Sequence, residues 1–203
     1  MVALRCGGMI DVMSQFGADD AAAVRRADNA DAEKVVQLVR SAYRGEASRT
    51  GWTSEADLVE GERIDLDQVH TMIADPKSVL LVLPDAEGLL ACAQVVDLGD
   101  GLSYFGTFAV RPQRQGGGVG RQVMAAAERW ARSTFAAHAM EMTVLTQQDN
   151  LISWYERLGF CRTGETRTFP ADEKFARPRR GDLTFAVLSK DLRSGQQNAD
   201  GDA

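Results

Sequence analysis

The feature that most constrains the fold is a glycine cluster between an apolar segment and an amphipathic one. Leu102–Val110 (LSYFGTFAV) is predicted to form a strand that Pro112 ends, and Gln115–Gly120 (QGGGVG) follows. Val119–Thr134 then has apolar residues at helical spacing. A glycine-rich turn before a helix exposes backbone N–H groups that lack intrahelical acceptors. Together with the helix dipole, these groups predict an anion site suited to phosphates.

Two common nucleotide-binding loops do not fit this stretch. The Walker pattern requires GK[ST], whereas Gly120 is followed by Arg121 and Gln122. The dinucleotide fingerprint requires GxGxxG after the first strand of a parallel βαβ unit, whereas Leu102–Val110 is predicted to end an antiparallel meander. On this stretch alone, a glycine-rich connector without a ligand remains the alternative.

Hydrophobic periodicity and turn residues predict one mixed α+β domain over residues 21–192. Residues 1–20 are expected to be a flexible arm, and residues 193–203 a disordered tail. Helices are expected at Asp31–Arg44, capped by Asp28 or Asn29, and at Val119–Thr134 and Asn150–Leu158, with further starts at Thr53 and near Asp65. The expected strands are Ala22–Arg26, Ser78–Leu83, Leu89–Asp97, Leu102–Val110, Glu141–Thr146, Phe160–Thr168 and Leu183–Leu188.

Composition excludes several function classes. The net charge is -6 with a pI near 5.0, and the basic run Arg177–Arg180 follows acidic residues, so no nucleic-acid partner is expected. Three separated cysteines and two histidines argue against a zinc site or a disulfide framework, and Cys92 and Cys161 are expected to be buried in apolar strands. No apolar run reaches about 18 residues, so no membrane association is expected. These features predict a cytoplasmic protein without a metal.

Two motifs in order give a resemblance to a known family. Gln115–Gly120 matches the pattern [RQ]xxGx[GA], and Trp154–Phe160 (WYERLGF) is similar to the pattern YexxGF. Both patterns are typical of the GNAT family of N-acetyltransferases, and the order of predicted elements agrees from Ala22 to about Leu192. The resemblance implies a GNAT-like, mostly antiparallel sheet of about seven strands flanked by helices. It also implies acetyl-CoA as the acyl donor and a primary amine as the acceptor.

The resemblance implies a binding site for coenzyme A. Loop N–H groups would hold the pyrophosphate, and the strand before the loop, splayed from Glu141–Thr146, would hold the pantetheine arm. Gln148 stands where the family has an asparagine, so Asn150 either takes over that hydrogen bond or caps its helix. The implied cofactor-binding residues are Phe108, Ala109, Val110, Gln115, Gly116, Gly117, Gly118, Val119, Gly120, Arg121 and Asn150.

The resemblance also implies a general acid. Tyr155 occupies the family's position for the residue that protonates the departing thiolate, and the alternative is a core tyrosine on the face of Ile152 and Leu158. Tyr104 stands where many members have a glutamate base. Four carboxylates are candidates to replace that base, directly or through water, and each has a solvated surface carboxylate as its alternative; they are Glu46, Glu55, Asp57 and Asp97.

The acceptor is expected to contact the acidic segment Gly45–Asp67. Glu46, Trp52 and Glu55 are the candidate substrate-binding residues, because carboxylates with an aromatic ring favour a cationic amine. The alternative is a solvated helix face. Small-molecule and peptide amines both remain open, and Leu183–Leu188 is expected to be an edge strand at which a homodimer could form.

The predicted function is therefore direct acetyl transfer from acetyl-CoA to an amine. A catalytically inactive acyl-CoA sensor is one alternative, and transfer to oxygen or of a longer acyl chain is another. A covalent acyl-cysteine route is disfavoured because neither Cys92 nor Cys161 has a nearby activating residue in the sequence.

Overall fold

The apolar segments in the middle of the chain form the centre of one large sheet in the computed structural model, which describes residues 23–51 and 53–193. The predicted arm (1–20), most of the predicted tail (193–203) and Trp52 lie outside the described residues. Nine strands are described: β1 Arg25–Arg26, β2 Val59–Glu60, β3 Ser78–Asp85, β4 Gly88–Gly99, β5 Leu102–Val110, β6 Ala139–Leu145, β7 Cys161–Thr168, β8 Arg177–Pro178 and β9 Thr184–Asp191. The described helices are α1 Ala32–Tyr43, α2 Gly45–Ser48, α3 Leu66–Ala74, α4 Val119–Phe135 and α5 Asp149–Glu156.

Seven of these strands form a mixed sheet in the order β1-β3-β4-β5-β6-β9-β7. Only the β5–β6 pair is parallel, and the other neighbours in this sheet are antiparallel. The predicted α+β fold with a mostly antiparallel sheet of about seven strands is confirmed. Short strands β2 and β8 form a separate antiparallel pair.

Helices cover both faces of the sheet because their apolar residues recur at i, i+3 and i+4. On one face, α1 and α3 pack on β3 and β4 around buried residues such as Val35, Val39 and Leu80. On the other face, α4 and α5 bury Val123, Ile152 and their neighbours. Helix α4, which begins at the glycine loop, and helix α5, which contains Tyr155, therefore lie on the same face of the sheet.

Strands β5 and β6 pair over only three positions, from Leu102 opposite Ala139 to Tyr104 opposite Glu141. Beyond these positions the ladder ends, although β5 continues to Val110 and β6 to Leu145. A bulge in β5 shifts its register against β4 between Gly106 and Ala109, and Thr107 has a φ of 43°. The predicted gap between the two strands is confirmed.

Three local predictions are wrong. Strand β9 lies between β6 and β7, so Leu183–Leu188 is not an edge strand. The edge strand at this end of the sheet is β7, which follows Tyr155 in the sequence. No helix begins at Thr53, because the chain there turns back and its carbonyl accepts a hydrogen bond from Gln148. Cys161 is exposed, whereas Cys92 is buried as expected.

Candidate active site

The glycine loop is braced at both of its ends. Arg111 donates two hydrogen bonds of 2.9 Å to the Asp85 carboxylate at the end of β3. Gln115 uses its side-chain amide to reach back to the Val110 carbonyl and across to Thr53 Oγ1, both at 3.1 Å. These contacts fix the loop against β5 and against the segment that follows α2.

Positive φ angles shape the loop between these braces. Gly116 and Gly118 have φ angles of 87° and 85°, which L side chains rarely adopt, and Gly118 is the N-cap of α4. The first hydrogen bond into α4 runs from Gln122 N to the Gly118 carbonyl at 3.1 Å. Among the described residues, the backbone N–H groups from Gly116 to Arg121 have no acceptor, whereas the Gln115 N–H donates to the Pro112 carbonyl.

A cavity of about 330 Å³, which we call the loop cavity, opens beside these N–H groups. Gly120 forms part of its wall, because a Cβ there would lie 3.2 Å from Trp154 Cζ2 and 3.4 Å from Phe108 Cζ. The rings of Phe108 and Trp154 are stacked at 6.1 Å. The lining residues are Tyr43, Thr53, Phe108, Val110, Gln115, Gly116, Gly118, Gly120, Arg121, Leu151, Trp154 and Tyr155.

The gap between β5 and β6 holds a second cavity of about 250 Å³, which we call the strand cavity. Its lining includes Tyr104 and Thr143, whose hydroxyl groups contact each other, and the charged residues Glu55 and Arg63. The two cavities share four lining residues, and these mark where they meet. The shared residues are Tyr43, Phe108, Leu151 and Tyr155.

Tyr155 is 5% exposed and lines both cavities. Its ring packs edge-on against Trp154 at 5.0 Å and Phe160 at 6.0 Å. Its hydroxyl has no hydrogen-bond partner among the described residues. Burial, reinforced by Tyr43 and Tyr104, raises the pKa of Tyr155 well above its usual value, so the hydroxyl keeps its proton at neutral pH.

Tyr43 was not predicted to belong to the site, since its sequence position indicates only the apolar face of α1. Its hydroxyl donates a hydrogen bond to the Phe108 carbonyl inside the gap. Burial raises the pKa of Tyr43, so this donor also remains protonated. No pattern in the sequence links two residues that lie 65 positions apart.

The Tyr104 side chain, at the place of the family's glutamate, crosses the gap between β5 and β6. Its hydroxyl lies 2.8 Å from Thr143 Oγ1 on β6. Gly106 makes room for the ring, because a Cβ there would lie 2.7 Å from Tyr104 Cε1. Tyr104 is the last paired residue of β5, and Thr143 lies two residues beyond the last paired residue of β6, Glu141.

Of the four predicted base candidates, Glu55 alone is on the lining of the strand cavity. Its carboxylate accepts a hydrogen bond of 2.7 Å from Arg44 Nη1 and lies 3.7 Å from Arg63 Nε. Asp57 is bound by Arg49 at the surface, and Asp97 accepts from the Gly99 N–H in a hairpin turn.

The remaining predicted residues are placed away from the cavity linings. Glu46 is exposed and paired with Arg49. Asn150 is exposed in the first turn of α5, and Gln148, not Asn150, is the N-cap of that helix. Gln148 itself lines the strand cavity.

Three of the predicted cofactor-binding residues lie next to lining residues of the loop cavity in the sequence but are not part of that lining; they are Ala109, Gly117 and Val119.

The two described cysteines lie outside both linings. Cys92 is fully buried, and burial raises the pKa of its thiol to about 12. Since the thiolate is the nucleophilic form, Cys92 is unreactive at neutral pH. The described part of the chain also contains no group of three or more His, Cys, Asp or Glu side chains placed to hold a metal ion.

A glycine loop at a helix N-terminus, beside two strands that part in a mixed sheet, is the arrangement that the family resemblance implies for an acyl-CoA-dependent acyltransferase. The sequence agrees, since residues 32–160 match the sequence model of the acetyltransferase (GNAT) family. The chain therefore belongs to the acetyltransferase (GNAT) family. No curated protein sequence matches it.

Solved structures with the same fold have low sequence identity. Spermidine N-acetyltransferase SpeG from Vibrio cholerae, in complex with CoA and spermine, has a TM-score of 0.61 at 15% identity, covering 86% of this chain and 98% of that one. The protein smu.2055 from Streptococcus mutans UA159 has a TM-score of 0.63 at 18% identity, covering 83% and 98%. A nourseothricin acetyltransferase has a TM-score of 0.51 at 25% identity, covering 58% and 67%.

Within residues 23–51 and 53–193, no helix combines the length and apolar character needed to cross a bilayer.

Proposed function

We propose that this protein transfers the acetyl group of acetyl-CoA directly to a primary amine. The observation that carries the proposal is the junction of two cavities at Tyr155. One cavity borders a set of N–H donors, and the other lies between the parted strands. A SpeG structure that contains both CoA and spermine has the same fold, which supports a two-substrate site of this kind.

The loop fits the phosphate-bearing end of the donor. The N–H groups from Gly116 to Arg121 are unpaired among the described residues and sit at the positive end of α4. Phe108 and Val110 would flank the pantetheine arm with β5 backbone groups. When bound, acetyl-CoA supplies an acetyl group activated as a thioester.

The strand cavity would hold the acceptor amine. An alkylamine has a pKa of about 10.4, so a group near it must take a proton before nitrogen becomes nucleophilic. Glu55 is our candidate for this general base, acting directly or through a water molecule, because it is the one of the four predicted base candidates that lines the strand cavity. Tyr155 would donate its proton to the departing sulfur, a role that fits its buried, protonated and unpaired hydroxyl.

The proposal is tested by incubating the protein with acetyl-CoA and a panel of primary amines while free thiol is measured. We expect thiol release that depends on an amine, with mass spectrometry placing one acetyl group on nitrogen. Release of thiol only with alcohols, or only with longer acyl donors, would contradict the proposal. Binding of acetyl-CoA without thiol release under any condition would indicate a sensor.

A further inference from the structure

Arg63 brings a guanidinium group to the strand cavity. The residue has a φ of 70°, unusual for a side-chain-bearing residue, and neighbouring Gly61 has a φ of 105°. A separate turn holds this bend, because the N–H groups of Glu62 and Arg63 donate to the carbonyls of Lys174 and Phe175 at 2.8 and 3.1 Å. The chain thus maintains an uncommon backbone conformation where Arg63 reaches the cavity.

The Arg63 guanidinium has no hydrogen bond to any described residue, and its Nε is buried without a partner. Its contacts are the Tyr43 ring, 5.1 Å from Cζ to the ring centre, and the Glu55 carboxylate, 3.7 Å from Nε. An arginine has five N–H donors in a planar fork. Since Nε is buried, the donors that Arg63 can offer to a ligand are the N–H groups of Nη1 and Nη2, and its side chain is 39% exposed.

Glu55 does not neutralise Arg63 alone, because it is shared. Arg44 Nη1 donates to the Glu55 carboxylate at 2.7 Å, closer than Arg63. The other polar side chains on the lining, such as Tyr104, Thr143 and Gln148, are uncharged. One carboxylate between two guanidinium groups gives the cluster of Arg44, Glu55 and Arg63 one excess positive charge, and Arg63 is its cationic member on the strand-cavity lining.

We propose that the acceptor is an amine that also carries a carboxylate, and that Arg63 binds this carboxylate. This inference rests on the proposed function and narrows its substrate class to amino-acid-like amines. The Arg63 fork matches a carboxylate in two parallel hydrogen bonds, and such charge-assisted pairs are the strong ones. Glu55, next to Arg63, would face the amino group of the same small molecule.

From the sequence, the acidic segment Gly45–Asp67 is expected to favour a cationic amine. An acceptor with a carboxylate differs from that expectation, because its net charge is lower. Glu46 belongs to that segment but pairs with Arg49 at the surface, away from the strand cavity. A diamine without an acidic group would place a second positive charge near Arg63, which is unfavourable. Arg63 is thus a specificity-determining residue.

The test compares amino acids with their decarboxylated amines as acceptors, with acetyl-CoA as donor and free thiol as readout. For the wild-type protein we expect kcat/KM to be at least about tenfold higher for the amino acid of the best pair. The Arg63→Met variant should lose this preference through a raised KM, and Arg63→Lys should recover part of it. Arg49→Met, which removes an arginine of similar exposure outside the cavity, should keep the preference.

Calorimetric titration of amino acids into the CoA-loaded protein tests the same contact without turnover, and thermal unfolding confirms that each variant is folded. Binding that weakens in Arg63→Met supports the inference even if no amine releases thiol, in which case only the proposed function fails. The inference is overturned if decarboxylated amines are the better acceptors. It is also overturned if Arg63→Met lowers kcat/KM equally for both members of a pair, or if no amino acid binds.

Discussion

At the scale of single residues, burial decides which side chains can react. Cys92 is fully buried with a thiol pKa raised to about 12, whereas Cys161 is exposed. We therefore predict that iodoacetamide at pH 8 modifies Cys161 in the folded protein and leaves Cys92 intact, as read by peptide mass spectrometry. Cys161→Ser should retain acetyl transfer. Loss of transfer in Cys161→Ser, or rapid modification of Cys92, would reopen an acyl-cysteine route.

Gly118 offers a second test at this scale. Gly118 and Gly99 have φ angles of 85° and 82°, and a Cβ at either position would meet no atom within 4 Å. Each change to Ala should therefore cost a similar backbone strain, about 1 kcal/mol in the free energy of unfolding. Only Gly118→Ala should also weaken CoA binding, since Gly118 orients the loop N–H groups. Equal CoA affinity in both variants, measured by calorimetry, would argue against the loop as the phosphate site.

Single residues also show where the sequence was sufficient. The glycine loop and Tyr155 were predictable because their motifs are local and contiguous. Tyr43 and Arg63 were not, since the strand cavity collects residues from Tyr43 to Phe185. Only the folded chain shows that the Lys174–Phe175 turn holds the bend that positions Arg63.

At the scale of elements, the 3-10 turn Asn29–Asp31, which leads into α1, has a reciprocal cap. The Asp28 carboxylate accepts from the Ala30 N–H at 2.8 Å, and Asp31 accepts from the Asp28 N–H at 3.0 Å. Arg25 on β1 donates two further hydrogen bonds to Asp31. This ion pair holds the pKa of Asp31 below its usual range, so its contribution to stability is present above about pH 4 and is lost as the pH falls further.

We accordingly predict that Asp31→Asn lowers the free energy of unfolding by about 1 kcal/mol at pH 7. The difference from wild type should shrink as the pH falls below about 4, because protonated Asp31 resembles asparagine. Asp182→Asn, which removes an exposed pairing with Arg180, should change stability much less. Urea titrations at pH 7 and pH 3.5 measure this, and equal losses in the two variants would contradict the capping role.

Most elements were predictable from periodicity, and the failures have physical causes. Leu102–Val110 was predicted with its observed bounds because an apolar strand between Gly101 and Pro112 has clear ends. The expected helix at Thr53 failed because polar, acidic composition alone does not distinguish a solvated helix from a turn. The place of β9 inside the sheet depends on long-range pairing with β6 and β7, which strand patterns do not encode.

At the scale of the whole molecule, one irregularity in the sheet makes the site. The β5–β6 ladder ends after Tyr104 and Glu141, and the gap that follows connects the loop cavity to the strand cavity. Helices α4 and α5 flank this gap on one face and bring the loop donors and Tyr155 to the same opening. The family motifs predicted the gap and the place of Tyr155, whereas Arg63 on the strand-cavity lining became visible only in the fold.

The most direct test of the account compares turnover with cofactor binding in Tyr155→Phe. The ring is kept, so its packing on Trp154 and Phe160 should persist. Tyr104→Phe serves as the control, since it removes a hydroxyl from the same cavity that is engaged by Thr143. We predict that Tyr155→Phe lowers kcat by about 100-fold or more at unchanged CoA affinity, and that the control lowers it by less than about tenfold. Unchanged kcat in Tyr155→Phe, or a parallel loss of CoA binding, would contradict the role of Tyr155 as the general acid.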